Sequence, residues 1–220
     1  MNPSNRLMNL PKKVNIVLVD DHQILRDGLK NIIQQKSNFQ IIGEASDGRA
    51  AIKLCAKLTP DVVITDISME GLNGIEATRQ IIKEHPEVKV IGLSMHANKK
   101  FIQNMFKAGG YGYLLKDGDS SELIDAITAV MENRKYLSKN IDSSYLRLLN
   151  EVSDQKKLSS REIEVLQLLA EGKSSKEIGN LLFLSSKTVD VHRNNVMKKL
   201  ELHTIPELTK YAIVEGITSL

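Results

Sequence analysis

Acidic side chains follow two short apolar runs in the N-terminal half of the chain. Asp20 and Asp21 come after the run Val14–Val19, and Asp66 comes after the run 62–65. β-Branched runs that end at a polar residue are typical of buried strands in a parallel sheet. Because ligands bind at the carboxyl ends of such strands, we expect these carboxylates to share one crevice.

Two further apolar runs end in polar residues of other kinds, Ser94 and Lys116. The crevice would then hold three acids, one hydroxyl and one ammonium. Mg²⁺ prefers oxygen ligands and relieves the repulsion between clustered carboxylates. A carboxylate can also attack phosphorus, and a hydroxyl and an ammonium can hold the phosphoryl oxygens. Each acid alone would be explained as a helix cap, but the five groups together predict phosphoryl chemistry.

Helical patterns alternate with these strands along the first 131 residues. The five predicted strands cover 14–19, 39–45, 62–65, 88–94 and 111–116, and the five predicted helices cover 22–35, 47–57, 74–84, 98–107 and 119–131. This alternation predicts an α/β domain with a five-stranded parallel sheet.

The chain of 220 residues is long enough for two domains. We expect a flexible tail over 1–13, an α/β domain over 14–133, a linker over 134–156 and a helical domain over 157–220. A short helix is predicted in the linker at 140–152. The alternative is that the linker is a solvated end of the second domain.

Composition excludes several classes of protein. Trp is absent and aromatic residues make up only 4%, which argues against single-strand binding by base stacking. No apolar stretch approaches the roughly 20 residues of a membrane span, and residues 1–13 lack the apolar core of a signal peptide. The single cysteine, Cys55, is expected in the core of a reduced protein. These features predict a cytoplasmic protein with no membrane partner.

The second domain shows the start of each of four helices. Three capping boxes are formed by Ser159 with Glu162, Ser174 with Glu177, and Thr204 with Glu207. Ser185 or Ser186 caps the remaining helix, which follows a short connector at 182–185. Gly172 is expected just past the end of the first helix. This arrangement predicts a small all-α helix-turn-helix domain of four helices.

Positive charge is concentrated on the third of these helices. Residues 157–220 hold nine Lys or Arg and eight Asp or Glu, a net charge of 9 − 8 = +1. Residues 187–199 hold four basic residues against Asp190 alone, a net charge of 4 − 1 = +3. A polar helix face is often merely solvated, but a basic one after a short helix predicts recognition of the DNA major groove.

The expected contacts to DNA are of two kinds. Asp190, Val191, Arg193 and Asn194 are expected at base edges, and the phosphates are expected to contact Lys187, Thr188, Lys198 and Lys199. His192 is left unassigned. The alternative for Asp190 is a first-turn acid that stabilises the helix dipole.

Ordered motifs in both halves carry a family resemblance. Val-Asp-Asp-His at 19–22, Pro-Asp-Val-Val-Ile-Thr-Asp at 60–66, Leu-Ser at 93–94 and Gly-Tyr-Leu-Leu-Lys at 112–116 resemble the receiver domain of bacterial two-component response regulators. Leu-Ser-Ser-Arg-Glu-Ile-Glu-Val-Leu at 158–166, Gly-Lys-Ser-Ser-Lys-Glu-Ile at 172–178 and Lys-Thr-Val-Asp-Val-His at 187–192 resemble the LuxR-type DNA-binding domain. Together they resemble the NarL/FixJ class of response regulators.

The resemblance implies a flavodoxin-like sheet of order 2-1-3-4-5 and a role for each site residue. Asp66 would be the phosphoacceptor of a sensor histidine kinase. Mg²⁺ would be held by Asp20, Asp21, Asp66 and the backbone carbonyl of Ser68. The phosphoryl group would contact Ser94 and Lys116, and activation would rotate Tyr113.

The resemblance also implies partners and a mode of action. Phosphorylation would favour a homodimer that binds double-stranded DNA, with the last helix, around 207–215, pairing the two copies. RNA polymerase is a further candidate partner. Glu70 replaces the proline that usually stands four residues after the acceptor in such families, which adds a negative charge near the pocket.

Two other functions compete with this transcription regulator. An aspartyl-phosphate hydrolase of the haloacid dehalogenase type would place its acids as Asp-x-Asp on one strand, whereas Asp20 and Asp21 have no spacer. We therefore expect no turnover enzyme. The second alternative is a DNA-binding protein whose receiver is silent and which dimerises without phosphate.

Overall fold

The computed structural model describes residues 13–142 and 158–218, and its first part is built on a parallel sheet. The strands are β1 (Val14–Val19), β2 (Phe39–Ala45), β3 (Val62–Asp66), β4 (Lys89–Ser94), β5 (Gly112–Leu115) and β6 (Tyr136–Leu137). Their order is β2-β1-β3-β4-β5-β6, and every neighbouring pair is parallel. The predicted order of the first five strands is confirmed.

Helices cover both faces of this sheet. One face carries α1 (Gln23–Gln34) and α5 (Ser120–Met131), and the other carries α2 (Gly48–Leu58), α3 (Gly74–Glu84) and α4 (Lys99–Lys107). Alternate residues of β1 enter the two cores, Ile16 on the side of α1 and α5 and Val17 on the opposite side. Cys55, a residue of α2, is fully buried in the core on the side of α2, α3 and α4. Because the strands are buried on both faces, apolar residues run along them almost without interruption.

The structure adds a sixth strand to the five that were predicted, and this strand lies in the stretch 134–156 that was predicted to be a linker. The backbone N–H of Tyr136 donates to the carbonyl of Tyr111 at 2.9 Å, and that of Ser138 donates to the carbonyl of Tyr113 at 2.9 Å. Just after this strand, both carboxylate oxygens of the buried Glu122 accept hydrogen bonds, one from the Ser138 hydroxyl and one from the Lys139 backbone N–H. A two-residue strand is too short to show a periodic pattern, so the sequence did not reveal it.

The second part contains the four predicted helices. They are α6 (Ser160–Ala170), α7 (Ser175–Leu182), α8 (Ser186–Leu200) and α9 (Ile205–Val214). All three capping boxes are present, Ser185 caps α8, and Gly172 has the left-handed conformation (φ 81°) expected just past α6. A separate apolar core, centred on Val165, Leu166, Ile178, Val189 and Leu208, joins the four helices.

Two predicted features lie mainly outside the described residues, namely the tail at 1–13 and the short linker helix at 140–152. The proposed domain boundaries therefore stay predictions. Within residues 13–142 and 158–218, no helix combines the length and apolar character needed to cross a bilayer.

Candidate phosphorylation site and nucleic-acid interface

The ends of β1, β3 and β5 bring two acids and a lysine into direct contact. Asp20 and Asp66 are 1% and 2% exposed. The Lys116 Nζ lies 2.8 Å from Asp20 Oδ2 and 2.7 Å from Asp66 Oδ2. One ammonium therefore bridges the two carboxylates, which lie on neighbouring strands, and this offsets part of the cost of burying them.

Burial and this ion pair both affect the pKa values of Asp66 and Lys116. Burial raises the pKa of the Asp66 carboxyl, and the hydrogen bond from Lys116 opposes that shift. Burial alone would lower the pKa of Lys116, but its hydrogen bonds to Asp20 and Asp66 outweigh burial and raise the pKa. Lys116 is therefore a permanent cation in the pocket at neutral pH.

Ser94 and Tyr113 lie at the same edge of the sheet and are linked through one loop residue. The Ser94 Oγ accepts from the His96 backbone N–H at 3.1 Å, and the Tyr113 hydroxyl donates to the His96 carbonyl at 2.6 Å. Both side chains are fully buried, and burial raises the pKa of Tyr113 to about 12. The predicted hydroxyl and the predicted aromatic are thus both hydrogen-bonded to the backbone of His96, in the loop that follows β4.

The loop after β3 is folded back on Asp66, the predicted acceptor. The Ser68 backbone N–H donates to Asp66 Oδ1 at 3.0 Å, and the Gly74 N–H donates to the carbonyl of Ile67 at 3.1 Å. A Cβ on Gly74 would lie 2.0 Å from the backbone carbonyl oxygen of Asp66. Only glycine allows α3 to start this close to Asp66.

Gly74→Ala is therefore expected to destabilise the protein by about 2–3 kcal/mol, because a backbone atom cannot move aside as a flexible side chain can. Gly28→Ala is the matched control, since Gly28 also lies in a helix but a Cβ there has no neighbour within 4 Å. The control should stabilise by up to about 1 kcal/mol. Chemical denaturation of both variants measures the difference, and equal stabilities would contradict the close approach.

The donor set at this edge fits a divalent cation. One ligand atom from each of Asp20, Asp21, His22 and Asp66 lies within 4.8 Å of the others. Three of these are carboxylate oxygens, the ligands that Mg²⁺ prefers. Ser68, whose carbonyl is the other predicted ligand, is held next to Asp66 by its own N–H.

The predicted DNA-contacting residues all lie on α8. Val189 and Val196 are buried against the other helices, whereas Val191 is 52% exposed. Lys187, Asn194, Lys198 and Lys199 are exposed as well, and Thr188, Asp190 and Arg193 are half-buried. Helix α8 therefore presents a polar, basic surface to the solvent in this arrangement.

Asp190 and Lys199 have intramolecular partners that the sequence did not reveal. Asp190 Oδ1 accepts from the Ser175 hydroxyl at 2.7 Å and lies 3.3 Å from the Arg193 guanidinium. Asp190 is not in the first turn of α8, so the helix-dipole alternative is wrong. The Lys199 Nζ lies 2.7 Å from Glu162 Oε2 and must leave this carboxylate to reach a phosphate.

Both parts match families of known proteins. Residues 16–128 match the response regulator receiver domain, and residues 156–212 match the bacterial regulatory proteins of the luxR family. The transcriptional regulatory protein DegU of Brevibacillus brevis is 36% identical over 224 residues, covering 93% of this chain and 93% of that protein. The response regulator UvrY of Escherichia coli K12 is 34% identical over 210 residues, covering 93% and 95%. The chain belongs to the NarL/FixJ class of response regulators.

Solved structures agree with this placement of the response regulator. RcsB from Salmonella enterica serovar Typhimurium, bound to the promoter P1flhDC in the presence of phosphomimetic BeF₃⁻, is 30% identical with a TM-score of 0.57, covering 94% of this chain and 100% of that one. A LuxR-family response regulator from Aurantimonas sp. SI85-9A1 is 34% identical with a TM-score of 0.59, covering 61% and 96%. The response regulator thus joins a receiver to a LuxR-type DNA-binding domain, the architecture of a transcriptional regulator.

The sequence did not reveal that the loop between β3 and α3, residues 67–73, is hydrogen-bonded to the second domain of this response regulator. We call it the acceptor loop because it follows the predicted acceptor Asp66. The Asn73 N–H donates to Gln167 Oε1 at 3.2 Å, and Gln167 Nε2 donates to the Met69 carbonyl at 3.1 Å. Glu70, the departure from the usual proline, lies 2.6 Å from the Lys173 Nζ. We call these three contacts the acceptor-loop clasp. No local pattern in the sequence marks Gln167 for this role, because its burial in the structure cannot be read from one residue.

A second set of contacts joins α4 to the end of α9. The Lys100 Nζ lies 3.1 Å from Glu215 Oε2, and Asn104 Nδ2 donates to the Glu215 carbonyl at 2.7 Å. The receiver of this response regulator therefore contacts the end of the helix that the family resemblance assigns to pairing of two copies.

Proposed function

We propose that this response regulator accepts a phosphoryl group on Asp66 from a sensor histidine kinase and thereby controls DNA binding by α8. The observation that carries this proposal is the Lys116 bridge, because it holds one cation against the acceptor carboxylate in a buried pocket. An oxygen of Asp66 attacks phosphorus, and the donor leaves with the electrons of the broken P–O or P–N bond.

The surrounding residues hold the transferred group. Lys116 leaves the Asp66 carboxylate to contact a phosphoryl oxygen, and Ser94 donates its hydroxyl to another. Asp20, Asp21, Asp66 and the Ser68 carbonyl would hold Mg²⁺. When bound, Mg²⁺ supplies positive charge that neutralises the clustered acids and the incoming phosphate.

Labelling with a small phosphodonor tests this proposal. Incubation with Mg²⁺ should give one stoichiometric phosphate per chain that is labile to acid and to hydroxylamine, and excess EDTA should abolish it. Continuous release of inorganic phosphate over many turnovers would instead indicate a hydrolase. No incorporation under either condition would indicate a silent receiver, so the three functions give three different results.

Phosphorylation of Asp66 would also change the charge next to the second domain. A cavity of about 230 Å³ beside the acceptor loop is lined by both halves, including Asp21, Ser68, Glu70 and Glu171. Burial raises the pKa of the Glu171 carboxyl, and the charge of Glu70 raises it further. Phosphorylated Asp66 would carry about −2 charge where its carboxylate carried about −1, and this added negative charge near Glu70 and Glu171 supports release of the acceptor-loop clasp and a shift to a dimer paired through α9.

Gln167→Leu should mimic part of this release, since it removes two hydrogen bonds of the acceptor-loop clasp. Loss of a buried hydrogen bond costs about 1 kcal/mol, so hydrogen exchange of the Asn73 amide should accelerate roughly fivefold to tenfold. The exposed Gln34→Leu on α1 is the control. An Asn73 amide that exchanges at the wild-type rate in Gln167→Leu would exclude a stabilising role for these bonds.

We further propose that α8 enters the DNA major groove, with Asn194, Val191, Arg193 and Asp190 at base edges. Asn194→Ala should then relax sequence preference at one position of each half-site, at a cost of about 1–3 kcal/mol. Lys198→Ala should weaken binding to all sequences equally and reduce the salt dependence by about one counterion. Binding-site selection compares the variants. If Asn194→Ala selects the same motif as the wild type, Asn194 does not contact a base edge.

A further inference from the structure

His22 is a nitrogen donor beside the acid cluster that the proposed phosphorylation does not use. Its Nδ1 lies 2.8 Å from Asp21 Oδ1 and 3.2 Å from Asp20 Oδ1. With Asp66, these groups place four ligand atoms within 4.8 Å of one another. The cluster therefore differs from a set of acids alone, because one corner of it is an imidazole.

The position of His22 is not explained by helix capping. His22 is the N-cap of α1, where Ser, Thr, Asp and Asn are the favoured residues because their side chains accept from the first N–H groups. The His22 ring makes no such bond. Its side chain is 71% exposed and its nitrogen is directed at the acids, so the ring is available to a ligand in the pocket.

The distances suit neighbouring ligands of one ion. Ligand atoms about 2.1 Å from a six-coordinate cation and at right angles to each other are separated by about 3 Å. The two separations from Nδ1, 2.8 and 3.2 Å, bracket that value.

We propose that His22 is a fourth side-chain ligand that makes this pocket a site for divalent transition ions of the Mn²⁺ and Zn²⁺ type. The proposal rests on the proposed function, because it uses the same metal pocket. Mg²⁺ gains little from an imidazole, whereas first-row transition ions bind imidazole and carboxylate together. His22 thus sets the ion preference of the pocket, and the three carboxylates set its affinity for divalent ions in general.

Mn²⁺ bound to the full-length, tag-free protein provides the test. Binding is followed by loss of the electron paramagnetic resonance signal of free Mn²⁺, and nitrogen ligation by spin-echo modulation. The wild type should show nitrogen coupling that changes when histidine alone is labelled with ¹⁵N. His22→Gln should lose the coupling and bind Mn²⁺ about tenfold more weakly, while its Mg²⁺ affinity, measured by competition, should change less than about twofold.

His203→Gln, in the second domain and outside the four-ligand cluster, is the control and should keep the coupling. Bound Mn²⁺ without histidine coupling in the wild type would overturn the proposal, as would coupling that persists in His22→Gln. Failure of the wild type to bind either Mg²⁺ or Mn²⁺ is a separate result, because it would refute the metal site of the proposed function itself.

Discussion

Asp66→Asn is expected to abolish phosphoryl incorporation, because an amide cannot form the acyl phosphate. The loss should reach the detection limit of labelling with a radioactive phosphodonor or of mobility-shift gels. The side chain keeps its shape, so its hydrogen bond from the Ser68 N–H is expected to survive. The fold should therefore be preserved, and circular dichroism checks this.

Asp125→Asn is the matched control for this experiment. Asp125 lies on α5, is 53% exposed and pairs with Lys139 at 3.2 Å on the protein surface. It should incorporate phosphate like the wild type. Undiminished, hydroxylamine-labile labelling of Asp66→Asn would move the acceptor to another carboxylate.

Lys116→Met is expected to have the largest effect on stability. Its side chain is 7% exposed and compensates two buried carboxylates. Removing one partner of a buried ion pair typically costs about 3–5 kcal/mol, since the remaining charges stay buried and unpaired. Denaturant unfolding in EDTA at neutral pH should show this deficit. Lys139→Met, whose side chain is 65% exposed, should keep a stability close to that of the wild type.

The deficit of Lys116→Met should depend on pH. Burial already raises the pKa of the Asp66 carboxyl in the folded protein, and loss of the ammonium raises it further. A carboxyl whose folded pKa exceeds its unfolded value near 4 makes the folded state less stable as pH rises through the folded pKa. The deficit should therefore be largest at neutral pH and shrink as pH falls toward about 4. A deficit independent of pH would contradict this electrostatic origin.

The features that the sequence predicts correctly are those that are repeated or local. Buried β-branched strands and capping boxes have fixed spacings, so the first five parallel strands and the starts of α6, α7 and α9 were predicted and are confirmed. The order of those strands was implied by the family resemblance and is confirmed as well. The polar ends of the strands placed Asp20, Asp66 and Lys116 together, because parallel strands bring their carboxyl ends to one edge.

Other features depend on contacts between distant residues, which no spacing reports. Tyr136 and Leu137 become a strand only because the β5 edge is free to accept them. The acceptor-loop clasp joins residues nearly 100 positions apart, and Gln167 carries no local sign of this role. Asp190 was assigned to DNA or to the helix dipole, and its hydrogen bond from Ser175 on the preceding helix could not be read from either assignment.

The buried thiol of Cys55 on α2 makes this protein suitable for site-specific cysteine labelling in solution. Burial raises the pKa of Cys55 to about 12, so almost no thiolate exists at neutral pH and the side chain resists both oxidants and thiol reagents. Because the chain has no other cysteine, new cysteines can be labelled in the native background. Spin labels at positions 70 and 173, whose side chains now touch across the two domains, would measure directly how far the domains separate when phosphate arrives.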